Sequence, residues 1–264
     1  MSFDRLTPRV IAKYEITYDV SVYASYSQGF QAGAFQGFQL AAANALVPIN
    51  ETIVSSTEIG LRSQWFDNRL TVNLTAFDAD YDDLPTTQFT SASGFLEART
   101  FDTWIRGLEV NISARPTPAL ILSATFGLTD NFVPNNFPAT IGPPLVPGRT
   151  RNELKCVSPF SGRFSAQYVF ELPGDAGSIT VNGNVTVQDE FYTSTVNNPF
   201  AYEDGYTLVG LQADYATADD RWAIGAVVKN LTDEVYELRS SADGGGSRTY
   251  GPPANWYLSL QYRF

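Results

Sequence analysis

The chain ends in the stretch Asn255–Phe264, which reads NWYLSLQYRF and alternates between apolar and polar side chains. One parity holds a wholly apolar or aromatic set: Trp256, Leu258, Leu260, Tyr262 and Phe264. Successive side chains of a β-strand point to opposite faces of its sheet, whereas a helix repeats every 3.6 residues. The stretch therefore predicts a final strand that separates an apolar face from a polar one.

The same period of two continues upstream through most of the sequence, for example in the apolar rows of Leu120–Leu128 and Ile179–Val187. The connections are rich in Gly, Pro, Asn and Asp, and short ones alternate with long ones. Each hairpin is therefore expected to be tight at one end of the sheet and open at the other. We predict about eleven strands, at residues 8–14, 19–31, 51–66, 69–91, 94–115, 118–130, 157–172, 177–193, 203–216, 221–239 and 248–264.

Several of these strands exceed the ~5–6 residues usual in soluble sheets, and ten or more residues suit a tilted strand that crosses a bilayer. Aromatic residues stand where a membrane-interface girdle would need them: Trp65, Trp104, Tyr168, Tyr215, Trp222 and Trp256. Since backbone groups in lipid must pair internally, an antiparallel meander there requires a barrel. We predict an all-β fold, an antiparallel transmembrane β-barrel meander of about 11 strands that forms a partial barrel. A soluble β-sandwich is the alternative.

Composition excludes several functions. The 264 residues carry a formal net charge of −11 and no His, so we expect no nucleic-acid partner and no His-based nucleophilic, zinc or haem chemistry. Cys156 is the single cysteine and cannot form an internal disulfide. We therefore predict no enzyme, no catalytic residue, no metal site and no cofactor. The sequence has no run of 18 apolar residues and starts without a signal-peptide pattern.

The C-terminal motifs are Val228–Tyr236, then Tyr250–Pro253, then the closing Tyr262–Phe264. Together they resemble the end of TonB-dependent outer-membrane receptors. Further stretches that look like this family follow its order: Tyr23–Gly33, Glu58–Arg62, Asn68–Leu70 with Tyr81–Leu84, and Arg106–Glu109. The resemblance covers nearly the whole chain, so residues 1–264 are read as one domain, the C-terminal portion of such a receptor barrel.

The resemblance implies a 22-stranded barrel filled by an N-terminal plug, of which we expect about half the strands here, with plug, TonB-binding segment and signal peptide missing. It implies a cell outer membrane location in a Gram-negative bacterium and energy-coupled uptake of a bulky solute such as a ferric siderophore. The implied partners are outer-membrane lipid, the barrel-assembly machinery, the iron-chelate or other bulky solute, and a TonB-type inner-membrane complex acting through the missing plug. A passive porin-like barrel and a soluble carbohydrate-binding β-sandwich are the alternatives.

Two groups of site residues follow from the same resemblance. Leu258, Leu260, Tyr262 and Phe264 resemble the terminal signal that the assembly machinery recognises by strand addition. In receptors of this type the outer loops capture substrate, so the aromatic loop residues Phe132, Phe137 and Phe200 are candidate ligand contacts, with ordinary loop packing as the alternative.

Charged residues within the strands give further expectations. By parity, we expect the lumen to hold Glu58, Arg62, Glu109 and Arg163, which would pair across strands or line a substrate path. Arg106 shares the parity of Leu108 and should lie near a membrane boundary. The alternation is lost after Ala76, which predicts a bulge or the edge of the apolar zone. There a row of carboxylates, Asp78, Asp80, Asp82 and Asp83, suggests calcium, although solvated side chains are the simpler interpretation.

Overall fold

The computed structural model describes residues 4–35, 48–90, 95–134, 152–194, 197, 199–241 and 246–264. Phe137 and the Gly-rich residues 244–245 lie outside these ranges. The strands are β1 Arg9–Glu15, β2 Val20–Gln31, β3 Ala34–Phe35, β4 Pro48–Ile49, β5 Thr52–Trp65, β6 Leu70–Thr90, β7 Phe95–Thr117, β8 Leu120–Phe132, β9 Phe160–Glu171, β10 Ser178–Gln188, β11 Phe191–Tyr192, β12 Tyr202–Glu203, β13 Tyr206–Ala216, β14 Trp222–Lys229, β15 Glu237–Ser241, β16 Ser247–Tyr250 and β17 Asn255–Tyr262. Among the residues so described, one 3-10 turn occurs, at Pro199–Ala201. None of the described residues forms a helix with the length and apolarity to cross a membrane.

Eleven of the strands form one sheet in the order β1-β2-β5-β6-β7-β8-β9-β10-β13-β14-β17. All its neighbours are antiparallel, and each strand pairs with the next long strand along the chain, so the sheet is a meander. This confirms the predicted number and order of long strands. The short pairs β3–β4, β11–β12 and β15–β16 are separate two-stranded sheets.

The last two predicted strands, 221–239 and 248–264, were wrong in extent. Each divides in two, because Asn230 takes a positive φ of 51° directly after β14 and ends it, and residues 251–254 separate β16 from β17. The parts that do not belong to β14 and β17 include Glu237–Ser241 and Ser247–Tyr250, which pair with each other as the β15–β16 hairpin. It packs beside the 3-10 turn instead of continuing the sheet.

The cross-strand register places the predicted apolar rows on one side of the sheet, which we call the apolar face; the other side is the polar face. Ile224 lies opposite Leu260, and Ala226 opposite Leu258. Leu258 is 69% exposed and Leu260 68%, because no second sheet covers this face within the described residues. The soluble β-sandwich is therefore wrong: its inner faces would be buried.

The two ends of the sheet differ. Short turns join strands at one end, which we call the turn rim: 16–19, 66–69, 118–119, 172–177 and 217–221. The long connections, which include 32–51, 133–159, 189–205 and 230–254, join strands at the other end, the loop rim. The predicted alternation of short and long connections therefore holds except between β6 and β7, which are joined by residues 91–94 alone.

The predicted break after Ala76 marks the edge of the apolar zone and not a bulge. Strands β6 and β7 pair in regular register through Tyr81, and the register shifts only between Tyr81 and Leu84. Asp83 has a φ of 55° at that irregularity. Beyond Ala76, the positions of β6 that belong to the apolar face are occupied by charged residues, Asp78 and Asp80, towards the loop rim.

Candidate functional site

The polar face contains a groove built on Tyr23 and Gly60. These residues lie opposite each other on β2 and β5, and a Cβ added at position 60 would come within 2.1 Å of Tyr23 Cε1. Glycine therefore lets the Tyr23 ring lie flat on the sheet. The phenol oxygen of Tyr23 is 3.2 Å from Thr75 Oγ1 and accepts a hydrogen bond from Arg62 Nη2 at 3.3 Å. The Arg62 guanidinium also stands 5.3 Å from the ring centroid.

Four charged side chains of the polar face have no ion-pair partner among the described residues. Glu58, Arg62 and Glu109 line a cavity of about 270 Å³ beside Tyr23. Glu109 and Arg163 line a second cavity of about 430 Å³. The expected ion pairs across strands are therefore not found among the described residues, and Arg62 instead donates across strands to the hydroxyl of Tyr23. The other predicted role of these side chains, lining a path, is compatible with the two cavities.

Arg106 stands on the apolar-face side of β7, close to the loop rim. Its Nε donates to Asp78 Oδ1 at 2.9 Å, and its guanidinium lies 4.5 Å from the centroid of the Trp104 ring. Arg106 Nη2 is 4.0 Å from Asp80 Oδ1, which is the longest distance at which an ion pair is counted. The charge is thus neutralised at the end of the apolar zone, in agreement with the expected boundary position.

The four aspartates do not assemble a metal centre. No group of three or more His, Cys, Asp or Glu side chains that could hold a metal occurs in the described part of the chain. Asp83 has a structural role instead: its carboxylate accepts from Thr100 Oγ1 at 2.6 Å and from Asn50 Nδ2 at 3.3 Å, and its carbonyl accepts from Thr52 Oγ1 at 2.8 Å.

Of the predicted ligand contacts, Phe132 lies elsewhere than expected. It is the last residue of β8 and not a loop residue, because that strand extends two residues beyond its predicted end. Its ring stacks on Trp104 with the centroids 6.2 Å apart, on the apolar-face side. Phe137 lies outside the described residues.

Phe200 lies in the 3-10 turn at the loop rim. Its ring faces the Arg248 guanidinium at 4.5 Å, and Arg248 is also ion-paired with Glu237. Phe200 is thus exposed in part and held in place, as a loop contact for a ligand requires. Contact of any of the three phenylalanines with a ligand stays a prediction.

The loop rim contains a packed core that the sequence did not reveal. Buried apolar side chains from three connections meet there: Val133, Phe191, Tyr192, Ala201 and Tyr236. We call this set and the segments that carry it the loop-rim core. Buried polar groups bond within it: Thr193 Oγ1 to Ser240 Oγ, and Asn197 in both directions with the backbone of Glu153, at 2.6 and 3.0 Å.

Acidic groups accumulate in this core. Glu203 Oε2 accepts the backbone N–H of Glu237 at 2.7 Å. Burial raises the pKa of Glu203, and the nearby charges of Glu237 and Asp204 raise it further, against the lowering effect of that hydrogen bond. The Glu237 carboxylate is 7% exposed; one oxygen meets Arg248, and the other is buried without a hydrogen-bond partner among the described residues.

Three of the four predicted assembly residues, Leu258, Leu260 and Tyr262, share the apolar face of β17, and Phe264 follows two residues after the end of that strand. Leu258, Leu260 and Phe264 are exposed, and the Tyr262 ring lies 4.6 Å from that of Trp222 on β14. Within the described residues β17 pairs with β14 alone, so its other edge is open. This arrangement offers a strand edge with alternate apolar side chains, while recognition by the assembly machinery stays a prediction.

Comparison with known proteins gives consistent findings. The family profile described as "TonB dependent receptor-like, beta-barrel" matches residues 1–231. The ferripyoverdine receptor of Pseudomonas aeruginosa is 26% identical over 277 aligned residues, and the ferric-pyoverdine M114 receptor of a Pseudomonas strain is 25% identical over 275. Each alignment covers 98% of this chain but 30% of the relative, so the chain spans about a third of their length.

Solved structures agree in fold. The ferric yersiniabactin uptake receptor of Yersinia pestis superposes with a TM-score of 0.79 at 16% identity, covering 97% of this chain and 37% of that one. The outer-membrane ferripyoverdine receptor of P. aeruginosa, bound to ferripyoverdine, superposes with a TM-score of 0.72 at 20% identity, covering 98% and 33%.

Proposed function

This chain belongs to the TonB-dependent receptor-like β-barrel family, and on that premise we propose that it forms wall and outer loops of a receptor for energy-coupled uptake of a ferric siderophore. Residues 1–264 act in this proposal as the C-terminal portion of the barrel, in the outer membrane of a Gram-negative bacterium. The proposal contains no catalytic step, in keeping with a family of receptors.

The observation that carries the proposal is the single two-faced sheet. Eleven antiparallel strands expose one apolar face at Leu258 and Leu260, while Glu58, Arg62 and Glu109 occupy the other. In water the exposed apolar face would make such a sheet unstable. Lipid against the apolar face and a water-filled lumen against the polar face provide each with a favourable environment. The membrane lipid is therefore the first proposed partner.

The unpaired charges of the polar face support a second partner. Glu58, Arg62, Glu109 and Arg163 supply two charges of each sign and line the two cavities. A folded plug in the lumen, through which a TonB-type complex acts, would offer groups that complement them. The family resemblance supplies the identity of this partner, and the open charges are consistent with it.

The solute is proposed from the relatives. The two most similar receptors described above are named for ferric pyoverdine, and a structural neighbour is named for ferric yersiniabactin. A bulky ferric siderophore is therefore the substrate class, captured at the loop rim where Phe200 is held by Arg248.

A chimera tests the proposal. This chain replaces the corresponding C-terminal part of the P. aeruginosa ferripyoverdine receptor in cells that lack the native receptor. Uptake of a panel of 55Fe-labelled siderophores is measured with and without a protonophore. We expect the chimera in the outer membrane, and uptake of at least one chelate that the protonophore abolishes.

Other outcomes contradict the proposal. Outer-membrane insertion with permeation that ignores the protonophore indicates the passive porin-like alternative. A properly inserted chimera that takes up none of the chelates refutes the siderophore assignment. Recovery of the chimera from the soluble fraction refutes the barrel.

A further inference from the structure

The motif Val228–Tyr236 has no part in the proposed uptake, yet the side chains of its Asn230 and Asp233 are hydrogen-bonded. Asn230 directly follows β14 and is 6% exposed. Its Nδ2 donates to the carbonyl of Glu234 at 2.9 Å and to that of Pro252 at 3.1 Å. Its Oδ1 accepts the Glu234 N–H at 2.9 Å. One side chain thus joins the end of β14 to the segment that enters β17.

Three further contacts repeat this connection. Asp233 Oδ1 accepts the N–H of Ala254, the residue before β17, at 2.7 Å. The Gly251 N–H donates to the Tyr236 carbonyl at 2.9 Å, and the Tyr236 ring lies so close that a Cβ on Gly251 would come within 1.9 Å of it. We call Asn230, Asp233, Tyr236 and Gly251 the C-terminal interlock.

The register of β17 is poorly determined by the rest of the sheet. A slip of one residue would turn Leu258 and Leu260 towards the polar face and would place polar side chains of β17 in lipid, which is unfavourable. A slip of two residues keeps every side chain on its correct face. The connection 230–254 is too long to set the register as a two-residue turn does, and β14 is the only described neighbour of β17.

We propose that the C-terminal interlock is a register lock that selects one β14–β17 alignment among those of equal parity. Lys229 lies opposite Asn255 in the observed alignment, which brings Pro252 to Asn230 and Ala254 to Asp233. A two-residue slip moves β17 by roughly 7 Å along β14 and takes these partners out of hydrogen-bond reach. The inference concerns the placement of the last strand and holds whichever solute the receptor carries.

Cysteine cross-linking in the outer membrane tests the lock in the full chain with Cys156→Ser. Ala223→Cys with Gln261→Cys reports the observed register, since these polar-face residues lie opposite each other. Ala223→Cys with Ser259→Cys or Arg263→Cys reports slips of two residues in either direction. The variant is Asn230→Gly, because glycine keeps the positive φ of position 230 while it removes the side-chain hydrogen bonds.

We expect the ratio of slipped to observed cross-links to rise at least about tenfold in Asn230→Gly, given the size of buried hydrogen bonds. Asn255→Ala is the matched control: among the described residues, the Nδ2 of Asn255 bonds only to the carbonyl of Pro253, two residues away, so the ratio should not change. Asp233→Gly, which removes a single contact, should give a smaller rise.

A ratio in Asn230→Gly equal to that of the parent chain overturns the proposal. So does an equal rise in Asn255→Ala, which indicates general loosening. If Asn230→Gly does not assemble in the outer membrane, Asp233→Gly is the deciding variant. An unchanged ratio of slipped to observed cross-links in Asp233→Gly then also overturns the proposal.

Discussion

The sheet and the loop-rim core hold their residues in opposite ways. The sheet is a ladder one layer thick whose side chains, such as Leu258, remain exposed, so solvent or lipid on each face decides its stability. The loop-rim core buries Tyr192 and Ala201 completely, and hydrogen bonds such as those between Asn197 and the Glu153 backbone form within it. The stability of the sheet therefore depends on its surroundings, whereas the loop-rim core is stabilised by internal packing, as a soluble domain is.

The largest effect is expected from a charge on the apolar face. Leu74 lies on the apolar face of β6, which is the lipid side. Leu74→Arg should therefore lower the free energy of unfolding in vesicles by about 2–4 kcal/mol. Asn73→Arg, its neighbour on the polar face, should cost at most about 1 kcal/mol, because that side chain reaches water. Urea titration of tryptophan fluorescence in lipid vesicles measures both. Equal losses would contradict the assignment of the faces.

A smaller loss is expected on the polar face at Gly60. Gly60→Ala forces the Tyr23 ring off the sheet and should cost roughly 1–3 kcal/mol, as overpacking usually does. Gly183→Ala is the control, since a Cβ there meets nothing within 4 Å. The same urea titration compares them. The contact is misassigned if adding Tyr23→Ala to Gly60→Ala recovers none of the loss.

A local effect is expected in the loop-rim core. Asn197→Ala removes the paired bonds to the Glu153 backbone and should speed amide hydrogen exchange in residues 152–158. Exchange in strands β5 to β7 should stay as in the parent chain, because sheet and core are stabilised separately. Uniform acceleration across the chain would show that they unfold as one unit.

The smallest effect concerns pH. The pKa of Glu203 is raised in the folded core, so its ionised form destabilises the core as pH rises through that pKa. Amide protection in residues 199–205, corrected for intrinsic exchange, should therefore be higher at about pH 4, below the ordinary pKa of a glutamate, than at about pH 7. Glu203→Gln should remove the difference, since the amide oxygen still accepts the Glu237 N–H. A difference that survives in Glu203→Gln would assign the effect to another group.

The sequence predicted those features that depend on parity alone. Glu58 and Arg62 lie on one face and Ile59 and Leu61 on the other, as two-residue alternation requires. Features that depend on contacts distant in sequence were not predictable. The hydrogen bond from Asn230 to Pro252 spans 22 residues, and the loop-rim core assembles from connections whose composition indicates only turns.

The limits of strands were predictable only where a turn residue marks them. The Asp67–Asn68 turn was placed correctly because both residues tolerate the positive φ that they adopt. The Asn- and Pro-rich segment around Phe132 predicts a loop, although stacking of Phe132 on Trp104 extends the strand. Tertiary contact thus overrides local composition at the loop rim.

Nitroxide scanning of residues 255–262 in lipid vesicles tests the two-faced sheet most directly. Collision rates are measured with oxygen, which concentrates in lipid, and with a water-soluble nickel chelate. Oxygen collisions should peak at positions 256, 258, 260 and 262, and nickel collisions at the odd positions between them. Rates without a period of two, or oxygen peaks at the odd positions, would contradict a wall with lipid on one side and water on the other.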